Sequence, residues 1–105
     1  MATVSVRVVT ATSGLGGLQP VADAVPLSAE AITSSGTSAQ GSTAIAPATW
    51  RPNLYWLITV SGGNVWVKFG TNPTAASGDD HLILDGQIDT YAVTEGSQKI
   101  AVIDA

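Results

Sequence analysis

Alternation of apolar and polar residues is the dominant pattern of the chain, and it predicts β-strands. In residues 3–9, valines at every second position alternate with Ser5 and Arg7. Successive side chains of a strand point to opposite faces, so this segment is predicted to be a strand with one buried face.

The strongest local signal lies in residues 53–70, where two runs rich in β-branched and aromatic residues flank Gly62 and Gly63. A two-residue turn between antiparallel strands needs backbone conformations that glycine adopts at low cost, so a β-hairpin is predicted here. In the register that this turn sets, one face carries only apolar pairs: Val60 with Val65, Ile58 with Val67, and Trp56 with Phe69. The other face is mixed, which supports this register.

The remaining segments are less regular. Loops rich in Gly, Ser and Thr are predicted at about 11–20 and 34–43, and a short strand at 43–46, before Pro47. Residues 21–33 fit either a helix, since Ala and Glu favour it, or a short strand that ends at Thr33. Three further strands are predicted at 81–84, 88–93 and 98–103.

These elements predict a single all-β domain that spans residues 1–105. The pattern contains about seven or eight short strands at close spacing and no firm helix. Such a pattern is typical of an antiparallel β-sandwich or a jelly roll.

Composition and charge narrow the range of partners. Charged residues make up only 11% of the chain, and the formal net charge is −4. Binding of nucleic acid requires a basic patch, so no nucleic-acid partner is expected. No apolar run is long enough to cross a membrane, and the first residues lack the pattern of a signal peptide. Cysteine is absent, so disulfides and thiolate ligands are excluded, and we expect synthesis in a cytoplasm.

Residues suited to catalysis are few. The single histidine, His81, follows Asp79 and Asp80, which suggests a hydrolase only if His81 lies in a pocket; the chain has no Gly-x-Ser-x-Gly motif. Asp85 and Asp89 are a weak candidate for a glycosidase pair. The spacing of Asp79, Asp80, Asp85 and Asp89 matches no calcium-binding loop. We therefore expect no catalytic residues, no cofactor and no metal site.

The aromatic residues are more informative. Trp50, Tyr55, Trp56 and Trp66 lie close together in the sequence. Trp56 falls on the apolar face of the predicted hairpin and is expected in the core. Tyr55, Leu57 and Trp66 fall on the other face, which would be polar if water covered it. A second sheet, a neighbouring subunit or a sugar ring are the alternatives, and we favour a protein interface because Trp and Tyr are enriched in interfaces.

The second half of the chain resembles small virion proteins of tailed bacteriophages. The resemblance covers roughly residues 58–103. It rests on Gly-Asn-Val-Trp-Val-Lys-Phe-Gly-Thr-Asn-Pro-Thr-Ala at 63–75, Leu-Ile-Leu-Asp-Gly-Gln at 82–87, Tyr-Ala-Val-Thr-Glu-Gly at 91–96 and Lys-Ile-Ala-Val-Ile at 99–103. It implies a β-sandwich subunit of the virion, as in capsid decoration or cement proteins, which are commonly trimers. It carries over no active-site residue.

The function expected from sequence is therefore structural. The resemblance implies a protein that binds the major capsid protein and stabilises the assembled head, as a homotrimer or another homo-oligomer. A head-fibre, neck or tail component fits the same resemblance. A carbohydrate-binding or host-recognition module that uses Tyr55 and Trp66 as a stacking platform is the alternative from another class.

Overall fold

The computed structural model describes residues 1–13, 20–22, 28–41, 54–78 and 80–105. These residues contain nine β-strands and no helix. The strands are β1 (Thr3–Ser13), β2 (Pro20–Ala22), β3 (Ser28–Thr33), β4 (Ala39–Gln40), β5 (Leu54–Ser61), β6 (Val65–Gly70), β7 (His81–Ile83), β8 (Ile88–Ala92) and β9 (Lys99–Asp104).

The strands form two antiparallel sheets, which confirms the predicted all-β sandwich. In the five-stranded sheet, β1 lies between β3 and β5, and β8 pairs with the other edge of β5. Strand β2 pairs with the last three residues of β1. The four-stranded sheet has the order β4-β9-β6-β7.

The core lies between the sheets and consists of the inward positions of the alternating strands. Val4, Val6 and Val8 of β1 are fully buried, as their alternation predicts. Trp56 is also fully buried, as predicted, and every second residue from Leu54 to Val60 joins it. Val65, Val67, Ile83, Ile100 and Val102 contribute from the four-stranded sheet.

The predicted hairpin between β5 and β6 is wrong. β5 pairs with β1 and β8, whereas β6 pairs with β9 and β7. The chain thus crosses from one sheet to the other at Gly62 and Gly63. Alternation determines which residues of each strand face inward, but both a hairpin and a crossing satisfy that requirement. Trp56 and Phe69 do contact each other, with ring centroids 5.3 Å apart, although they belong to different sheets.

The ambiguous segment 21–33 contains strand rather than helix in its described part. Strand β3 pairs with β1 along six consecutive residues, from Ser28 opposite Val8 to Thr33 opposite Thr3. This long-range pairing outweighs the helix propensity of Ala and Glu, because propensity is a weak preference that tertiary context overrides.

The predicted loops are partly strand. β1 continues to Ser13 and β2 begins at Pro20, while residues 14–19 lie outside the described residues. The segment predicted as a loop at 34–43 includes β4, which pairs with β9 and so gains order from a distant strand. The predicted strand at 43–46 lies outside the described residues.

The turn between β5 and β6 depends on glycine. Gly62 has φ +98°, and its N–H donates to Asp85 Oδ1 at 3.0 Å. Gly62→Val is therefore expected to destabilise the protein by about 1–3 kcal/mol, because β-branched residues strongly disfavour this backbone region. Urea unfolding measures the loss. Gly36→Val is the control, since Gly36 has no positive φ and open space around a Cβ atom. Equal losses in both variants would contradict the assignment of strain to Gly62.

Candidate protein interface

The three residues predicted to form one interface lie on two different surfaces. Tyr55 and Leu57 take outward positions on β5, in the five-stranded sheet, and Trp66 takes an outward position on β6, in the four-stranded sheet. All three are half-buried. The prediction that they share a face is wrong, because it assumed that β5 and β6 pair in one sheet. The stacking platform of Tyr55 and Trp66 for a sugar ring fails for the same reason.

Trp66 instead belongs to an apolar stripe across the outer face of the four-stranded sheet. It lies opposite Leu82 of β7 on one side and opposite Ile103 of β9 on the other. Side chains at such paired positions on one face lie in contact range. Leu82 is 42% exposed, and Leu84, two residues further on, is 49% exposed. We call Trp66, Leu82 and Ile103 the apolar stripe.

The sequence analysis did not identify Leu82 and Ile103 as neighbours of Trp66. Two features of the sequence nevertheless indicated strands with apolar side chains on both faces. Residues 82–84 are three consecutive apolar residues, and residues 100–103 are four. A strand with apolar side chains on both faces is typical of a strand that is covered on both sides. What the sequence lacked was the order of the strands, which brings Leu82 and Ile103 to either side of Trp66.

Two lysines lie on the same outer face as the apolar stripe. Lys68 follows Trp66 by two residues on β6, and Lys99 of β9 lies opposite Gly70. Among the described residues of the four strands, no acidic residue takes an outward position on this face. The face therefore combines an apolar centre with positive charge, on a chain whose net charge is −4.

The two edges of the five-stranded sheet each carry an acidic residue at an inward position. Glu30 of β3 lies opposite the buried Val6, and Asp89 of β8 lies opposite the buried Ile58. Inward-pointing charge on an edge strand is a common device against pairing with another chain. The arrangement favours contacts through the faces of the sandwich over addition of a strand to its edges.

His81 lies beside an open depression of about 340 Å³ rather than in an enclosed pocket. Its side chain is 42% exposed, and its Nε2 atom lies 3.1 Å from Asp80 Oδ1. Its ring is 4.5 Å from that of Tyr91, centroid to centroid. Thr94 supplies a hydroxyl nearby, but that oxygen accepts a hydrogen bond from Gln98, and no serine is among the described lining residues. Asp79 lies outside the described residues.

The aspartates do not form a metal site within the described ranges. No group of three or more His, Cys, Asp or Glu residues there is close enough to hold an ion. Asp85 accepts a hydrogen bond from the Gly62 amide, and Asp89 accepts one from Tyr91 Oη at 3.1 Å. These two carboxylates therefore have structural partners in turns and edge strands.

Tyr91 provides a pH-dependent signature of this region. Burial, the charge and hydrogen bond of Asp89 and the charge of Asp80 together raise the pKa of Tyr91 from 10.0 to about 12, and burial is the largest of these causes. The folded state therefore favours the protonated phenol. Its contribution to stability is complete below pH 10 and is lost as the pH rises from 10 to about 12.

We therefore expect the free energy of unfolding to fall over this pH interval, and Tyr91→Phe to make the fall less steep. Urea unfolding between pH 9 and pH 12 measures both slopes. The phenylalanine variant keeps the ring and removes only the titrating group. If the free energy of unfolding falls equally steeply with pH in the parent and in Tyr91→Phe, the raised pKa of Tyr91 is contradicted.

Comparison of the chain with protein-family models, curated proteins and solved structures gave no match. None of the described residues forms a helix that could span a membrane. The functional assignment therefore rests on the residues and geometry of the chain itself, and the resemblance to virion proteins stays a prediction.

Proposed function

We propose that this chain is a non-enzymatic structural protein of a tailed bacteriophage, a decoration protein that binds the assembled capsid through the outer face of its four-stranded sheet. The observation that carries the proposal is the apolar stripe. Three large apolar side chains lie side by side across three strands, on a face that a free sandwich would make polar.

The chemistry of this face suits a protein partner. Trp is enriched among residues that dominate binding energy, and Trp66 is central in the stripe. Lys99 adds positive charge at one end of the face. Complementary charge increases association rates and selects among partners. A capsid surface with an apolar patch and nearby carboxylates fits this face.

The mechanism is adhesive. A protein that binds the assembled shell and not the free capsid subunits stabilises the shell by mass action. As a homotrimer, the protein would bind several sites of a symmetric particle at once, which raises its overall affinity above that of a single site. Glu30 and Asp89 take inward positions on the edge strands β3 and β8 and oppose the pairing of a further strand from another chain. Binding through a face of the sandwich is therefore favoured over binding through its edges.

The resemblance supports the same function and adds the expected partners. It implies the major capsid protein as the binding partner, the virion as the location and a homotrimer as the common state of such subunits. It fits a head-fibre, neck or tail component equally well. Copy number separates these alternatives.

The decisive experiment is the stoichiometry of the chain in purified particles of the phage that encodes it. Quantitative mass spectrometry compares its copy number with that of the major capsid protein. A ratio near that of the capsid protein supports decoration. A few copies per particle point to the neck, the tail or a head fibre, and absence from the particles overturns the proposal.

A further inference from the structure

The outer face of the five-stranded sheet, on the other side of the molecule from the apolar stripe, contains a groove of about 480 Å³. Its lining residues are Ser5, Arg7, Ala29, Glu30, Ala31 and Thr59. The two alanines of β3 lie opposite Arg7 and Ser5 of β1. Their short side chains leave the space beside the arginine open.

Arg7 has an unsatisfied donor beside this groove. One end of its guanidinium, Nη2, donates to Thr59 Oγ1 at 3.0 Å. Its Nε–H is buried and has no hydrogen-bond acceptor. Buried donors in proteins are nearly always paired, because an unpaired one loses its hydrogen bonds to water without replacement. An acceptor from outside the chain would pair it once the guanidinium turns to expose this N–H to the groove.

Arg7 is also the one charged residue at an outward position among the described strands of this sheet. Glu30 also lines the groove, from a strand position that faces inward. It lies opposite the inward-facing Val6, and its carboxylate oxygen reaches the place that a side chain on Gly41 would occupy. At the outward positions of the groove, the one charged side chain is therefore Arg7, among Ala, Ser and Thr side chains.

We infer that the groove is a carboxylate-binding site that receives an aspartate or glutamate side chain of a partner protein. The planar guanidinium can offer two parallel N–H groups, from Nε and Nη, which match the two oxygens of a carboxylate. Binding turns the guanidinium so that Nε–H faces the groove, and the hydrogen bond to Thr59 is exchanged for two bonds to the carboxylate.

A side chain of a protein suits the groove better than a small free acid. The groove is open and lies on a sheet face that also exposes Ile88. A free carboxylate would use only the arginine, whereas a partner surface would also cover the surrounding apolar area. This inference concerns the face that the apolar stripe does not use, so it stands independently of the proposed binding to a capsid.

The side-chain N–H of Arg7 is a direct probe. The chain has two arginines, Arg7 and Arg51, so a ¹⁵N spectrum of the arginine Nε–H region contains two signals, and Arg7→Lys identifies the one from Arg7. The protein is titrated at constant ionic strength with acetate, with the capped peptide Gly-Glu-Gly and with its Gly-Gln-Gly counterpart. We expect the Arg7 signal to move saturably with acetate and the glutamate peptide, with tighter binding of the peptide, and to stay fixed with the glutamine peptide.

Two variants test the geometry of the site. Arg7→Lys keeps the charge but lacks the planar pair of donors, and we expect backbone amide shifts of Ser5 and Ala31 to report at least tenfold weaker binding. Thr59→Val removes the competing acceptor within the chain, and we expect severalfold tighter binding. The backbone amide spectrum of each variant verifies its fold, and the titration of the parent protein needs neither variant.

Several results would overturn the inference. No saturable movement of the Arg7 signal with either carboxylate excludes the site. Equal affinity for the glutamate and glutamine peptides, or an Arg7→Lys variant that binds as well as the parent, excludes paired recognition of a carboxylate. Equal affinity for acetate and the glutamate peptide excludes a partner side chain as the preferred ligand. None of these results changes the copy number of the chain in a virion, so this inference and the proposed function fail separately.

Discussion

Replacement of Trp56 by alanine is expected to lower the free energy of unfolding by about 3–5 kcal/mol. The indole is fully buried, contacts Phe69 across the sandwich and donates from Nε1 to Gln98 Oε1 at 2.7 Å. The variant loses the packing of a large aromatic ring and leaves the buried Gln98 oxygen without its donor. Because a small domain has a total stability of about 5–15 kcal/mol, a large unfolded population is expected.

Urea unfolding followed by circular dichroism measures this loss. Trp56→Phe retains most of the apolar volume and removes the N–H group, so its expected loss is smaller. Trp66→Ala is the matched control, since it makes the same chemical change at an outward position of the other sheet. If Trp66→Ala destabilises the protein as much as Trp56→Ala, the assignment of one tryptophan to the core and the other to the surface is wrong.

Replacement of Trp66 by glutamate is expected to leave the fold intact and to weaken binding to phage particles at least about thirtyfold. The substitution places a charge between Leu82 and Ile103, at the centre of the apolar stripe. Burial of an unpaired charge in an apolar contact is costly, and loss of a dominant interface residue costs about 2 kcal/mol or more. Cosedimentation of the purified chain with particles that lack it measures the affinity.

The control places the same charge on the other outer face. Ile88→Glu changes a residue that is 63% exposed on β8 of the five-stranded sheet, and we expect it to bind as the parent does. Circular dichroism verifies the fold of both variants. An unfolded Trp66→Glu variant would place Trp66 in the intrachain core. If Ile88→Glu loses binding and Trp66→Glu retains it, the partner binds the five-stranded sheet instead.

The order of the strands explains why the prediction placed Trp66 correctly at an outward position but wrongly on the same face as Tyr55 and Leu57. The outward orientation of Trp66 follows from alternation within β6, which the sequence displays directly. Its separation from Tyr55 depends on whether the chain reverses within a sheet or crosses between sheets at Gly62. A reversal within one sheet and a crossing between two sheets both require glycine at the turn, and both bury the same side chains of β5 and β6. The choice depends on the pairing of β5 with β1 and β8, whose residues are distant in the sequence.

Local periodicity alone determined the all-β class, the inward-facing valines of β1, the alternating burial along β5 and the burial of Trp56, because side-chain direction in a strand depends only on sequence parity. It also determined that Arg7 faces outward. The tertiary structure alone decided which strands are neighbours. It therefore decided that Leu82 and Ile103 lie beside Trp66, and that two alanines of β3 leave a groove beside Arg7. These contacts depend on long-range pairing and register, which a pattern with a period of two residues does not encode.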